Sequence, residues 1–160
     1  MWRSSPKAKW FMKLDDDTFV VPSNYLQSLQ SLDHTVPVYM GRDICCGGLA
    51  SGGAGYTLSS KALEIIYPHL DSCMLPFLDE HGEELNIGED IVVWECLKKY
   101  IPDLHTTDNP RQYMCGPNAI EFANKADNRG FTDYPVSFHW VSWDWMFALD
   151  WLIYYIKVQP

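Results

Sequence analysis

Three adjacent carboxylates, Asp15, Asp16 and Asp17, follow directly after the apolar run W-F-M-K-L, which is typical of a strand. Alternate side chains of a strand share a face, so we expect Asp15 and Asp17 to point into one cleft and Asp16 to point away from it. Two carboxylates on one face repel each other unless a cation lies between them, and hard oxygen ligands favour Mg²⁺ or Mn²⁺. A solvated acidic turn after an edge strand is the alternative, and the triplet taken alone favours it.

A glycine-rich stretch at 51–55 is a second candidate for ligand binding, and it precedes an expected strand at 56–58. Gly52, Gly53 and Gly55 allow positive φ and let the backbone approach a ligand closely. The stretch matches neither the G-x-G-x-x-G nor the P-loop pattern, so neither a dinucleotide site nor an ATP site is indicated. A plain glycine-rich turn is the alternative.

Other ionisable residues have an ambiguous local context. Glu89 and Asp90 begin a predicted helix, where the dipole favours an ionised Asp90 and thereby suits a catalytic base. Acids are also common at helix starts simply because they stabilise the helix. His139 lies between aromatic residues, a setting that is by itself more typical of a core or stacking histidine.

The elements that would position these residues alternate between strands and helices, which predicts an α/β domain. We predict strands at 10–14, 38–40 and 56–58, and helices at 22–32, 61–67, 89–100 and 143–156. We expect Ser23 to cap the first helix, Ser59 or Ser60 to cap the second, and the last helix to be amphipathic to fully buried. Loops are predicted at 47–55, 71–88 and 108–133.

Composition narrows the function classes. The chain has 160 residues, 47% of them hydrophobic, enough for one domain with a core. Its net charge of -9 and the absence of a Lys/Arg run argue against nucleic acid as a partner. No run approaches the ~20 apolar residues of a spanning helix, and the first residues do not form a targeting signal. The five cysteines include no C-x-x-C pair, so structural zinc is not indicated; disulfides and reduced buried thiols both remain open.

Four sequence blocks occur in a fixed order along the chain. They read W-F-M-K-L-D-D-D-T-F-V at 10–20, Y-M-G-R at 39–42 with S-G-G-A-G-Y-T-L-S at 51–59, G-E-D-I-V-V-W-E-C-L at 88–97, and P-V-S-F-H-W-V at 135–141. With these blocks the chain resembles the Fringe-related inverting β1,3-glycosyltransferases, and among them the core 1 β1,3-galactosyltransferases of mucin-type O-glycans. The resemblance is specific because four blocks occur in the family's order, although each alone is weak.

The resemblance implies inverting transfer of a hexose from a UDP-sugar, in which a cation neutralises the leaving diphosphate and a base takes the acceptor proton. It assigns a Mn²⁺ to Asp17 and His139 with help from Asp15, and it assigns the base to Asp90. Imidazole and carboxylate ligands together suit Mn²⁺ better than Mg²⁺ or Ca²⁺. By the same resemblance the donor contacts Asp15, Asp16, Gly52 and Gly53, the acceptor contacts Glu89 and Trp143, and Cys73 pairs with Cys96 in a disulfide.

The resemblance also implies a GT-A-like domain. Members of the family begin this domain with a βαβ half that holds the uridine, whereas here the D-x-D strand starts at Trp10. We therefore expect residues 1–160 to form the C-terminal portion of one catalytic domain, with the uridine pocket largely absent and an unpaired sheet edge beside Trp10, Phe11 and Met12. Relatives are type II Golgi membrane proteins with an N-terminal signal anchor, which this sequence does not show. The lumenal address that the resemblance implies permits disulfides.

Three functions follow as hypotheses. The leading one is transfer of galactose from UDP-galactose to the 3-hydroxyl of GalNAc-O-Ser/Thr on glycoproteins, by a monomer or a homodimer. The second is a Fringe-like transferase with another donor, such as UDP-GlcNAc onto fucose. The third is a non-catalytic fragment or a binding or chaperone-like relative. The intact acidic triplet argues against the family's chaperone, which lacks it, and the absent uridine half argues for a fragment.

Overall fold

The computed structural model describes residues 5, 7–45, 47–83, 85–116 and 134–155. Strands β1 to β9 are Trp10–Lys13, Phe19–Val20, Val38–Gly41, Asp43–Cys45, Leu49–Ala50, Tyr56–Ser59, His105–Asp108, Gln112–Tyr113 and Ser137–Phe138. Helices α1 to α5 are Pro22–Leu29, Ser60–Ile66, Leu70–Met74, Glu89–Tyr100 and Trp143–Tyr155. This mixture of strands and helices agrees with the predicted α/β class.

The larger sheet has the strand order β1-β6-β3-β7. Strand β6 is antiparallel to both β1 and β3, whereas β3 and β7 are parallel. Strand β1 forms one edge of this sheet, and Phe11 and Met12 line an apolar cavity of about 600 Å³ beside it. The acidic triplet therefore leaves the sheet from an edge strand.

A smaller sheet connects the acidic triplet with the late histidine. Its order is β2-β9-β8, and β2 pairs antiparallel with β9 through Phe19 with Phe138 and Val20 with Ser137. Strand β2 begins two residues after Asp17, and β9 ends one residue before His139. The pairing of these two short strands thus brings two distant parts of the sequence together.

Helices α2, α3 and α4 cover the larger sheet and enclose the main core. Trp94 of α4 stacks on Tyr39 of β3 with their ring centroids 5.7 Å apart. Cys73 of α3 and Cys96 of α4 form a disulfide, which is the pairing that the resemblance implies. The core and the disulfide together fix α4, whose first turn carries the two acids of the third sequence block.

The boundaries of α4 agree with the prediction, since the helix runs over Glu89–Tyr100. For α2, Ser59 is the N-cap, and its Oγ accepts a hydrogen bond of 3.1 Å from the backbone N–H of Ala62. Ser60, the alternative cap, is instead the first residue of the helix. Capping chemistry therefore defined this helix start to within one residue.

The first helix is shorter than predicted and has a different N-cap. Val21 occupies the N-cap without a side-chain hydrogen bond, and Pro22 is the first helical residue, so the assignment of the cap to Ser23 is wrong. The fixed φ of proline suits the first helical position, which explains why the helix begins at Pro22, as predicted, and not after Ser23. The helix ends at Leu29, and Leu32 lies beyond it.

Several segments predicted as loops contain short elements. The stretch at 47–55 includes β5, which forms a hairpin with β4; the segment 71–88 begins with most of α3 and a 3₁₀ turn; and the segment 108–133 includes β8. Residues 117–133 lie outside the described part of the chain. Strands β5 and β8 have only two residues each, and the five residues of α3 make little more than one helical turn, so none of these elements shows a periodicity in the sequence.

The last helix is much more exposed than predicted. Leu149 is buried, but Trp143, Phe147 and Trp151 are 77%, 70% and 57% exposed. The expectation of an amphipathic to fully buried helix is therefore wrong for α5 within 143–155, because a helix that is apolar on all sides packs here on only one of them. None of the described helices is long and apolar enough to cross a membrane.

The disulfide gives a prediction for stability. Replacing Cys73 and Cys96 together with serine should lower the free energy of unfolding by about 3 kcal/mol, because a loop of this length then opens in the unfolded chain. The two cysteines are 23 residues apart in sequence. Urea denaturation measures the effect, and reduction of the wild-type chain should reproduce it. An unfolding midpoint that responds to neither change would contradict the prediction.

Candidate active site

Asp15, Asp17 and His139, the three residues expected to hold a metal, lie together. The Nε2 atom of His139 is 3.7 Å from Oδ2 of Asp15 and 3.3 Å from Oδ1 of Asp17. One ligand atom from each of the three residues lies within 4.8 Å of the others, and all three side chains are half-buried. Two carboxylate oxygens and one imidazole nitrogen at this spacing fit a divalent cation of the Mn²⁺ type.

A turn, and not the alternation of a strand, brings the two carboxylates together. Strand β1 ends at Lys13, and the N–H of Thr18 donates a hydrogen bond of 3.2 Å to the carbonyl of Asp15. The carbonyl of Asp17 accepts a hydrogen bond of 2.9 Å from the N–H of Val141, which holds the turn against the segment after β9. The expected grouping of the carboxylates is present, but the reason given for it was wrong.

The glycine loop at 51–55 forms one wall of this cluster. A Cβ atom on Gly53 would lie only 2.1 Å from Cε1 of the His139 ring, and the hydroxyl of Thr18 donates a 2.7 Å hydrogen bond to the Gly53 carbonyl. Within the loop only Gly55 has a positive φ, of 88°. Gly53 is therefore needed for the close approach of the protein's own histidine, and the expectation of positive φ at Gly52 and Gly53 is wrong.

Gly52, the next residue of the loop, contacts the candidate base. Its N–H donates a 2.9 Å hydrogen bond to Oδ2 of Asp90, while Oδ1 of Asp90 accepts one of 2.9 Å from the N–H of Ile91. A Cβ atom on Gly52 would lie 2.8 Å from Oε1 of Glu89 and 3.2 Å from Oδ2 of Asp90. Two consecutive glycines thus contact the metal-ligand cluster on one side and the first turn of α4 on the other.

Buried polar side chains hold the glycine loop from behind. The Nε2 group of Gln112 donates a 2.8 Å hydrogen bond to the carbonyl of Gly55, and the hydroxyl of Ser137 donates one to the carbonyl of Ala54. Both side chains are fully buried. Neither residue was predicted to support the site; Ser137 lies two residues before His139 in the fourth sequence block, but no pattern singles out Gln112.

Lys13 is a further residue of the site that the sequence analysis missed. Its Nζ is 2.5 Å from Oδ1 of Asp15 and 2.7 Å from Oε1 of Glu89. Burial alone lowers the pKa of Lys13, but the hydrogen bonds and charges of Asp15 and Glu89 outweigh burial and raise that pKa above its usual value. The sequence feature that could have indicated this role is the position of Lys13, a charged residue in an otherwise apolar strand.

An open cleft of about 420 Å³ adjoins the metal-ligand cluster, and two further residues predicted to contact substrates, Asp16 and Trp143, line it. It is lined by Asp16, Asp17, Val141, Trp143, Met146 and Phe147. Asp16 is exposed and outside the metal-ligand cluster, as expected. Trp140, beside His139, has a φ of 56° and a ring 5.1 Å from the imidazole. Glu89 is not among the lining residues, so the structure does not bring the two predicted acceptor contacts, Glu89 and Trp143, into one cleft.

Comparisons with known proteins agree with the resemblance. A family model described as Fringe-like matches residues 2–46, which include the acidic triplet. The chain is 23% identical, over 177 aligned residues, to glycoprotein-N-acetylgalactosamine 3-beta-galactosyltransferase 1 of Xenopus laevis, covering 96% of this chain and 47% of that protein. It is 26% identical over 107 residues to chondroitin sulfate synthase 3 of Homo sapiens and of Mus musculus, covering 59% of this chain and 11% of each of those proteins.

The chain therefore spans about half the length of the first relative and about a tenth of the second. Together these matches support the Fringe-related β1,3-glycosyltransferase family, so the recognition from the four sequence blocks is confirmed. The mixed α/β fold is compatible with a glycosyltransferase domain.

Proposed function

We propose that this chain, as a relative of the Fringe-related β1,3-glycosyltransferases, transfers galactose from UDP-galactose to the 3-hydroxyl of GalNAc-O-Ser/Thr on glycoproteins. The observation that carries the proposal is the convergence of Asp15, Asp17 and His139 on one side of the glycine loop, with Asp90 on its other side. The choice of galactose and of GalNAc rests on the name of the first relative, at 23% identity. A GT-A-like fold and a Golgi-lumenal address belong to the same proposal.

The metal-ligand cluster supplies the first half of the mechanism. Asp15, Asp17 and His139 would hold a Mn²⁺, which when bound would neutralise the negative charge on the leaving diphosphate. Gly53 keeps the imidazole beside the two carboxylates, since its missing side chain leaves the space that the ring occupies. The ligand set is thus positioned by the backbone before any substrate binds.

Asp90 supplies the second half, as the base that takes the proton from the acceptor hydroxyl. Its carboxylate accepts hydrogen bonds from the N–H groups of Gly52 and Ile91, and it lies in the first turn of α4. The negative charge of the carboxylate also complements the positive end of the helix dipole at this turn. These contacts also orient the carboxylate, which a proton transfer needs.

The residues proposed to contact the acceptor and the donor differ in how free their side chains or backbone groups are to bind a ligand. Trp143 offers an exposed aromatic face over the cleft beside Asp16 and Asp17, which suits stacking against a sugar ring. Glu89 is paired with Lys13 and would have to exchange that partner to reach an acceptor. Gly52 already uses its N–H on Asp90, so we propose that Gly52 and Gly53 act mainly by positioning Asp90 and His139 and only secondarily by contacting the donor.

A related transferase with another donor, such as UDP-GlcNAc, is the second candidate. The match to proteins named chondroitin sulfate synthase 3, at 26% identity, supports this second candidate. It shows that the chain is similar to more than one kind of relative and not only to the galactosyltransferase. The direct test measures transfer from a panel of UDP-sugars to a GalNAc-α-peptide and to fucose, with and without Mn²⁺. It uses this chain and any longer natural form that contains it, and absence of transfer in both would refute an enzymatic function in favour of a binding role.

Binding of Mn²⁺ can be tested without an assay of sugar transfer. His139→Ala should weaken Mn²⁺ binding by on the order of 10- to 100-fold or more, because even residues that only support metal ligands have effects of this size. Calorimetry measures the affinity, and His81→Ala is the matched control, since the His81 side chain is 77% exposed and lies outside the cluster. Unchanged Mn²⁺ affinity in the His139 variant would remove this residue from the metal site.

A further inference from the structure

We propose that Lys13 is a positioning residue that bridges the two acidic halves of the site and makes the two metal-ligating carboxylates unequal. The inference rests on the proposed metal site and base. Lys13 is the last residue of β1, opposite Tyr56 of β6, and its ammonium lies 6.0 Å from the centre of the Tyr56 ring. A paired strand therefore fixes its backbone, and its side chain is half-buried.

The first consequence concerns Asp15. Lys13 occupies Oδ1 of this carboxylate at 2.5 Å, whereas Oδ2 is the oxygen that faces His139. Among the described residues the ammonium contacts Asp15 and Glu89 but not Asp17. Asp17 is thus left with both oxygens for a cation, while Asp15 can offer only the one that Lys13 does not hold.

The second consequence concerns the base. Lys13 pairs with Glu89 at 2.7 Å and donates a 3.3 Å hydrogen bond to the carbonyl of Gly52, whose N–H in turn donates to Asp90. The ammonium therefore ties the turn after β1 to the first turn of α4 through contacts with both segments. Without it, the acids of these two segments would repel each other with no cation between them.

The test separates metal binding from the position of the glycine loop. Lys13→Met keeps most of the apolar stem and removes the charge, so it should bind Mn²⁺ as tightly as the wild type or several-fold more tightly, because Asp15 regains its second oxygen. At the same time, hydrogen exchange at the Gly52 amide should accelerate by on the order of tenfold or more, as its partner Asp90 is released. Lys13→Arg should restore slow exchange, and Lys61→Met, which removes a surface lysine paired with Glu64, should change neither quantity.

Two results would overturn the proposal. Weaker Mn²⁺ binding in Lys13→Met would show that the ammonium supports the metal site and does not compete with it, and unchanged Gly52 exchange would show that it does not hold the loop. If the unpaired Glu89 prevents folding of that variant, Lys13→Met with Glu89→Gln removes both charges and carries the same two expectations. Neither readout needs transfer, so wild-type chain that binds no Mn²⁺ would refute the proposed metal site while the exchange measurement still tests Lys13.

Discussion

Asp90→Asn is expected to lower kcat for transfer by on the order of 10²–10⁴ while leaving the affinities for Mn²⁺ and UDP near those of the wild type. A base acts on the acceptor proton only as the reaction proceeds, whereas a metal ligand also contributes to ground-state binding. Asparagine is nearly isosteric with aspartate, and its amide oxygen can still accept the hydrogen bond that Gly52 donates, although its amide nitrogen cannot accept the one from the N–H of Ile91. The substitution therefore removes the proton acceptor with little disturbance of the loop.

The control for Asp90→Asn is another acid at the start of a helix. Asp71 is exposed in the first turn of α3 and, in the described part of the chain, makes no side-chain contact with the site, so Asp71→Asn tests the loss of a helix-dipole interaction alone. We expect that variant to keep its turnover. If Asp90→Asn instead loses Mn²⁺ affinity and keeps turnover at saturating metal, Asp90 is a ligand or a structural residue, and the base lies elsewhere.

Gly53→Ala should be as damaging to metal binding as the loss of the histidine itself. The added Cβ would lie 2.1 Å from Cε1, 2.3 Å from Nδ1 and 2.5 Å from Nε2 of His139, so the ring or the loop must move. Thr18 and Ser137 hold the loop by hydrogen bonds to the carbonyls of Gly53 and Ala54, so we expect the ring to give way. Mn²⁺ affinity should then fall by on the order of 10- to 100-fold, and overpacking should lower the free energy of unfolding by about 1–3 kcal/mol.

Two variants isolate the clash at Gly53. Gly82→Ala places a Cβ in open space at a φ of 80°, so it should lower stability by backbone strain without altering Mn²⁺ affinity. Gly53→Ala combined with His139→Ala removes the ring that the new Cβ meets, so the double variant should recover stability but not metal binding. Wild-type Mn²⁺ affinity in Gly53→Ala alone would show that the imidazole can move without cost and that its observed position is not required.

Local sequence patterns were sufficient to predict the elements that are long or clearly bounded. Residues 89–100 form a helix with the predicted limits, and Ser59 caps α2, because periodicity and capping depend only on near neighbours in the chain. The ligand set of Asp15, Asp17 and His139 came from the family resemblance, as did the pairing of Cys73 with Cys96. Nothing local in the sequence connects the acidic triplet with a histidine so far along the chain.

The way in which these residues are held depends on contacts that form only in the folded chain. Pairing of β2 with β9 brings His139 to the turn at Asp17, Gly53 leaves room for the imidazole, and Lys13 joins Asp15 to Glu89. Each is a contact between segments far apart in sequence, and the packing of α5 on one side only is decided in the same way. A residue's type limits what it can contact, but the fold chooses the partner, since burial and charge pairing depend on which distant segments the sheets bring together.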